Sequence, residues 1–170
     1  ARFPFPTRDS DRAAMLWACV LLPHLALDAI LRRHPTPDQP LVLVTGAAQR
    51  RVVVALNAAA VDTGLRRGQS LTAAEALCEA LTVVDYDDTA MERWRQFLAA
   101  WAYRYSSEVS TALPGALVLE VEGSFGVIGP WPQFEARLRE DLTALGFRHR
   151  IAMAPTATAA WVLAGVQDGL

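Results

Sequence analysis

"STALPGALVLEV" occupies residues 110–121, and its second half has a clear period. From 116 onward, Leu117, Leu119 and Val121 alternate with Ala116, Val118 and Glu120, the pattern of a strand with one buried face. Pro114-Gly115 ahead of it supplies a turn. The stretch predicts a β-hairpin, with one strand over 108–113 and the next over 116–122.

The flanks extend that reading. In "MERWRQFLAAWAYRYSS" (91–107), Met91, Trp94, Leu98, Trp101 and Tyr105 recur every three or four residues. That spacing predicts a helix over 90–106 whose aromatic stripe faces a core rather than stacking on bases. After the hairpin come "FGVI" (125–128) and a Gly-Pro-Trp-Pro break. A helix over 132–146 follows, with Phe134, Leu138, Leu142 and Leu145 inward and Gly146 closing it. "HRIAMA" (149–154) is a strand, and "PTATAAWVLAG" starts a last helix with its proline in the N1 region. Upstream, "MLWACVLL" (15–22) is a continuous apolar run, a central strand covered on both faces. In order these spell βαββαβ, the ferredoxin-like split unit of the α/β (α+β) class.

Residues from about 25 to 88 interrupt that unit after its first strand. "LALDAILRRH" (25–34) predicts a short helix, "HPTPDQP" (34–40) a loop, and "LVLV" (41–44) with "RVVVAL" (51–56) two β-branched strands around a turn. In "NAAAVDTG" (57–64), Asn57 is a good N-cap and Gly64 a natural residue beyond the C-cap. A second helix begins at "LTAAEALCEAL", with Thr72 and Glu75 in capping-box spacing, and "TVVDY" (82–86) is a further strand.

Composition narrows the chemistry. The chain has 170 residues, 52% hydrophobic and 20% charged, a globular composition with a formal net charge of −2, so no strong global field favours nucleic acid or anionic membrane. All 16 basic residues are arginine, which excludes a Schiff-base lysine and a Gly-Lys-Ser/Thr phosphate loop. Cys19 and Cys78 stand in apolar contexts without CxxC spacing and read as buried small hydrophobes. His24, His34 and His149 share no metal-ligand spacing. No apolar run reaches the roughly 18 residues of a membrane span. Residues 1–14 lack a signal peptide's apolar centre and read as an irregular leader, with Met15 as a candidate start. A reducing bacterial cytoplasm, in association with the nucleoid, is the expected compartment.

The insertion point and wording resemble the palm and fingers of the Y-family translesion DNA polymerases. "VVVALNAAAVDTGLRRGQSLTAAEAL" (52–77) is similar to the family's fingers segment, "YRYSSEVSTALPGALVLEV" (103–121) to its palm hairpin, and "IAMAPTATAAWVLA" (151–164) to its last palm strand and following helix. The resemblance covers about 15–165. It implies a palm-like domain from 15–24 plus 89–165 and a fingers-like domain over 25–88, with the thumb, little finger and C-terminal tail absent from a fragment ending at Leu170.

The chemistry the family implies is two-metal phosphoryl transfer, with carboxylates holding Mg²⁺ beside primer and triphosphate. The positions that match the family's metal carboxylates are Cys19 and Leu21 on the first strand and Gly115 and Ala116 at the hairpin head. Those that match its triphosphate-binding residues are Ala58, Val61 and Trp161, and His24 stands where an aromatic screens out ribonucleotides. Asp28, Asp62, Glu120 and Glu122 lie near. Glu120 and Glu122 read as a solvated pair pointing together off the hairpin, several residues past its head. No catalytic residue, metal or cofactor is therefore expected.

Scaffold wording without those polar groups resembles the ImuB-like branch, on "LLPHLALD" (21–28), "RRVVVALN" (50–57), "GLRRGQSLTAA" (64–74), "AAWAYRYSSEVS" (99–110) and "APTATAA" (154–160). That resemblance implies a non-catalytic scaffold of damage-induced (SOS) mutagenesis and DNA repair. Its full-length partners would be the sliding clamp, an ImuA-like protein and an error-prone C-family DNA polymerase. Arg50, Arg51, Arg66 and Arg67, paired in turns, are the candidates for weak, salt-sensitive phosphate contact. Two other readings stand beside this one: an active Y-family polymerase with relocated metal ligands, and an unrelated ferredoxin-like regulatory module that binds a small ligand.

Overall fold

The strand β1 (Trp17–Leu21) lies between β6 (Ala116–Glu120) and β7 (Arg150–Ala154) and runs antiparallel to both. With β5 (Val109–Ser110) on the outer side of β6, the sheet order is β5-β6-β1-β7. The structure, a computed structural model, describes residues 15–34, 36 and 38–169. The leader expected over 1–14 and two prolines of the loop expected over 34–40 lie outside the described residues. Helices α4 (Asp88–Ala102) and α6 (Trp131–Leu145) connect the strands in βαββαβ order, which fits the expected ferredoxin-like unit.

One face of this sheet carries the large side chains. Leu117, Leu119 and Val121 join Val20, Met91, Leu98, Phe134, Leu138 and Leu142 in a single buried cluster. Each such side chain contributes roughly 1.5–3 kcal/mol on burial. The other face carries small ones. Cys19, Ala116, Val118 and Ala152 meet Ala160 and Ala164 of α7 (Ala157–Val166). The alternation in β6 therefore separates large from small rather than buried from exposed, which corrects the expectation of one buried face. Ala116 and Val118 take the second face because α7 approaches closely on its alanines.

A second sheet, of order β3-β2-β4, is built between β1 and α4 in the chain. Its strands are β2 (Leu41–Thr45), β3 (Val52–Leu56) and β4 (Thr82–Asp85). Helix α1 (Leu25–Leu31) covers one face with Leu27, while α2 (Ala58–Asp62) and α3 (Leu71–Leu77) cover the other with Ala60, Leu71 and Ala74. Asn57 caps α2 as expected, accepting from the Ala60 N–H at 2.9 Å.

Local details depart from the sequence reading. Helix α3 is capped by Ser70, whose hydroxyl accepts from the Ala73 N–H at 3.3 Å, so Thr72 lies inside the helix and the Thr72/Glu75 capping box does not form. Ser70 has the extended backbone an N-cap needs. Helix α7 starts from Thr156, which accepts from the Ala159 N–H at 3.2 Å, and Pro155 precedes the cap instead of occupying N1. Strand β5 is two residues long, shorter than the 108–113 expected. Strand β6 ends at Glu120, because Glu122–Ser124 form a 3₁₀ turn that leads into α5 (Phe125–Ile128).

Candidate functional site

The head of the β5–β6 hairpin meets the C-terminal end of β1. Leu21 pairs with Ala116 and Cys19 with Val118, and the Leu22 N–H donates to the Gly115 carbonyl at 2.8 Å. Gly115 has φ +65, a left-handed conformation that suits glycine in a turn. The four positions where the resemblance places metal carboxylates thus come together, and they carry a thiol, an isobutyl group, a hydrogen and a methyl.

Their surroundings are apolar. Cys19 is fully buried, and burial pushes its thiol up to about 12. Trp161 of α7 lies against the same cluster with Leu21 and Leu113, and its indole N–H donates to the Pro114 carbonyl at 3.1 Å. A protonated, enclosed thiol is a poor ligand for Mg²⁺, which demands hard oxygen donors in octahedral geometry. The residues at the hairpin head do not fit a divalent metal pair. Among the described residues no group of three or more His, Cys, Asp and Glu side chains is placed to hold a metal ion.

The nearby acids have other duties. Glu120 is half-buried and accepts from the N–H of Glu122 at 2.9 Å and of Gly123 at 3.3 Å, which caps the 3₁₀ turn. Glu122 belongs to that turn and is half-buried, so the two acids are not the solvated strand pair expected. Asp28 is buried and bound to Arg148. Asp62 is exposed at the end of α2.

Asn57 does more than its cap position indicates. Its Oδ1 also accepts from the Leu41 N–H at 3.0 Å, and its Nδ2 donates to the Gln39 carbonyl at 2.8 Å. One buried amide thereby joins α2 to the start of β2. Ala58 and Val61 face solvent on α2. Between the second sheet and the β1–α1 connection lies a cleft of about 540 Å³, lined among others by His24, Leu27, Val54, Leu56, Arg67 and Tyr86. Burial and the charge of Arg148 lower the His24 pKa, Arg150 adds to this, and Asp28 opposes it.

The arginine candidates separate. Arg51 is half-buried and ion-paired with Asp85 of β4, so it is engaged within the fold. Arg50, Arg66 and Arg67 are exposed. The loop carrying Arg66 and Arg67 runs along β3, with Gly68 N–H donating to the Val53 carbonyl at 2.8 Å and Val53 N–H to Gln69 at 2.9 Å.

Known structures share this fold. A post-insertion binary complex of Dbh DNA polymerase matches with a TM-score of 0.73 at 17% identity, over 91% of this chain and 46% of that one. A Y-family DNA polymerase chimera containing Dbh matches at 0.70 and 15% identity, over 91% and 46%. DinB from Sulfolobus solfataricus matches at 0.66 and 17% identity, over the same shares. At such identities the likeness concerns the fold, and the chain spans about half the length of these structures. No helix among the described residues is long and apolar enough to cross a membrane. Comparison with curated proteins finds no match. The sequence itself matches the impB/mucB/samB family over residues 23–165, most of its length, and the chain belongs to that family.

Proposed function

We propose that this chain is a non-catalytic, polymerase-like scaffold of translesion DNA synthesis, of the ImuB-like type. The observation that supports this reading is the packing at the hairpin head. Cys19 and Ala116 are sealed beneath α7, and Trp161 bonds to the turn that would present metal ligands. A nucleotidyl-transfer centre needs several carboxylates around divalent ions in a solvent-connected site. Here methyl, thiol and indole groups stand at those positions. The partners this reading calls for are the sliding clamp, an ImuA-like protein and an error-prone C-family DNA polymerase, engaged by the full-length protein in the bacterial nucleoid. Exposed Arg50, Arg66 and Arg67 supply at most weak, sequence-independent phosphate contact.

The test is primer extension by the full-length protein with Mg²⁺ or Mn²⁺ and all four nucleotides. No extension is expected, together with co-purification of the clamp and the C-family polymerase. Metal-dependent extension by the full-length protein would instead establish relocated ligands and end the scaffold reading.

A further inference from the structure

The chain crosses between the two sheets twice, through residues 22–24 into α1 and through 86–87 into α4. Helix α1 presents different faces to the two sides. Leu27 packs with Leu41 and Leu43 of the second sheet, with Ile30 and Leu31 beside it. Leu25 and Ala29 pack into the core of the first. On that latter side two polar residues stand four apart, at helical spacing.

Asp28 is 4% exposed, and its carboxylate binds Arg148. The Arg148 N–H donates to Oδ2 at 2.9 Å, Nε to Oδ1 at 2.8 Å and Nη2 to Oδ1 at 2.7 Å. Arg32, just past α1, lies over two rings of the first sheet's core, 5.0 Å from the Trp94 centroid and 5.2 Å from that of Phe147. A Cβ at Gly146 would meet the Arg32 Cγ at 3.3 Å, and Gly146 has φ +83, so glycine serves both the helix end and this approach. An anion on α1 and a cation at its C-cap grip one segment, residues 146–148, from neighbouring turns. The cleft lies beside the same helix, with Ala26 and Leu27 in its wall.

We propose that Asp28 and Arg32 form a clasp that fixes the angle of the inserted lobe against the β5-β6-β1-β7 unit and so sets the width of the cleft. Apolar packing of α1 against both sheets is non-directional and does not by itself select one angle, whereas a buried carboxylate with three directed bonds and a guanidinium over two rings have one orientation in which both are satisfied. This clasp operates whether or not the hairpin head transfers nucleotides.

Spin labels on the 170-residue chain carrying Thr72→Cys (α3) and Thr143→Cys (α6) read the angle directly. Cys19 and Cys78 are buried and do not compete for label. The parent is expected to give one narrow distance distribution. Asp28→Asn combined with Arg32→Gln is expected to broaden it and to speed amide exchange in α1 by roughly tenfold or more, with circular dichroism unchanged. Arg32→Gln alone leaves no buried charge behind and is expected to broaden it in part. An unchanged narrow distribution in the double variant overturns the proposal. So does cooperative melting of both sheets together, which would make the pair part of one undivided core.

Discussion

The indole N–H of Trp161 on α7 donates to the carbonyl oxygen of Pro114 at 3.1 Å, joining residues 47 positions apart. Pro114 opens the tight turn at the hairpin head and Trp161 closes over it. The bond is a packing contact, since neither group titrates. Trp161→Phe keeps most of the ring and removes the donor; since Pro114 is exposed, water takes up the carbonyl. The expected cost is about 1 kcal/mol. Trp161→Ala also exposes Leu21 and Leu113 and is expected to cost roughly 2–4 kcal/mol. Urea midpoints at unchanged m-value measure both, and an alanine variant as stable as the parent would remove Trp161 from the support of the hairpin.

Cys19 sets a second expectation. With its thiol held up to about 12 by burial, from an ordinary value of 9.0, the folded chain keeps this proton where the unfolded chain releases it. Stability is therefore fully present below pH 9 and declines as pH rises toward 12. In the folded protein at pH 8 a disulfide reagent is expected to leave Cys19 unmodified, with reaction following denaturation. Cys19→Asp, which sets a carboxyl at that buried position, is expected to destabilise by roughly 3 kcal/mol or more. The buried carboxyl would have a raised pKa, so that variant should gain stability as pH falls.

Much of this was legible in the sequence, for a local reason. The period of Leu117, Leu119 and Val121, the spacing of Phe134, Leu138 and Leu142, and the Asn57 cap are all written within one element. What stayed hidden joins residues distant in the chain. Asp28 meets Arg148 across 120 positions, and Trp161 meets Pro114 across 47; neither leaves a periodic trace. The covered second face of β6 was hidden for another reason: Ala116 and Val118 have side chains too modest to demand burial, and only the arrival of Ala160 and Ala164 decides it. The cap of α3 turned on which of two nearby hydroxyl residues adopts extended backbone, Ser70 or Thr72, and composition alone does not rank them.

Asn57 is the third test. Its amide serves the Leu41 N–H, the Ala60 N–H and the Gln39 carbonyl. Asn57→Ala removes the cap and leaves partners of a 5% exposed side chain unsatisfied, with an expected cost of roughly 2–4 kcal/mol. Asn57→Asp keeps both accepting bonds but sets a carboxylate oxygen against the Gln39 carbonyl, so it should rescue only part of that loss. Thermal denaturation of the two variants orders them, and equal losses would show that the Gln39 contact matters as much as the other two.

Asp168 gives a pH-dependent prediction of opposite sign to Cys19. Lying just beyond α7, it accepts from the Ile151 N–H of β7 at 2.7 Å and from Arg139 of α6 at 2.8 and 3.0 Å. Burial alone would raise its pKa; the Arg139 bond, the Ile151 N–H and the charges of Arg139 and His149 outweigh this and hold it below the ordinary value of 3.8. A carboxyl with a depressed folded pKa contributes stability above its unfolded value and loses it as pH falls through the folded one. The side chain is 46% exposed, so solvent screening limits the contribution to about 0.5–1 kcal/mol. Asp168→Asn is therefore expected to be less stable than the parent by about that amount at pH 7, with the gap closing as both are titrated below pH 3. A gap that stays constant across the titration would assign the loss to the Ile151 hydrogen bond alone, with the Arg139 pair contributing nothing.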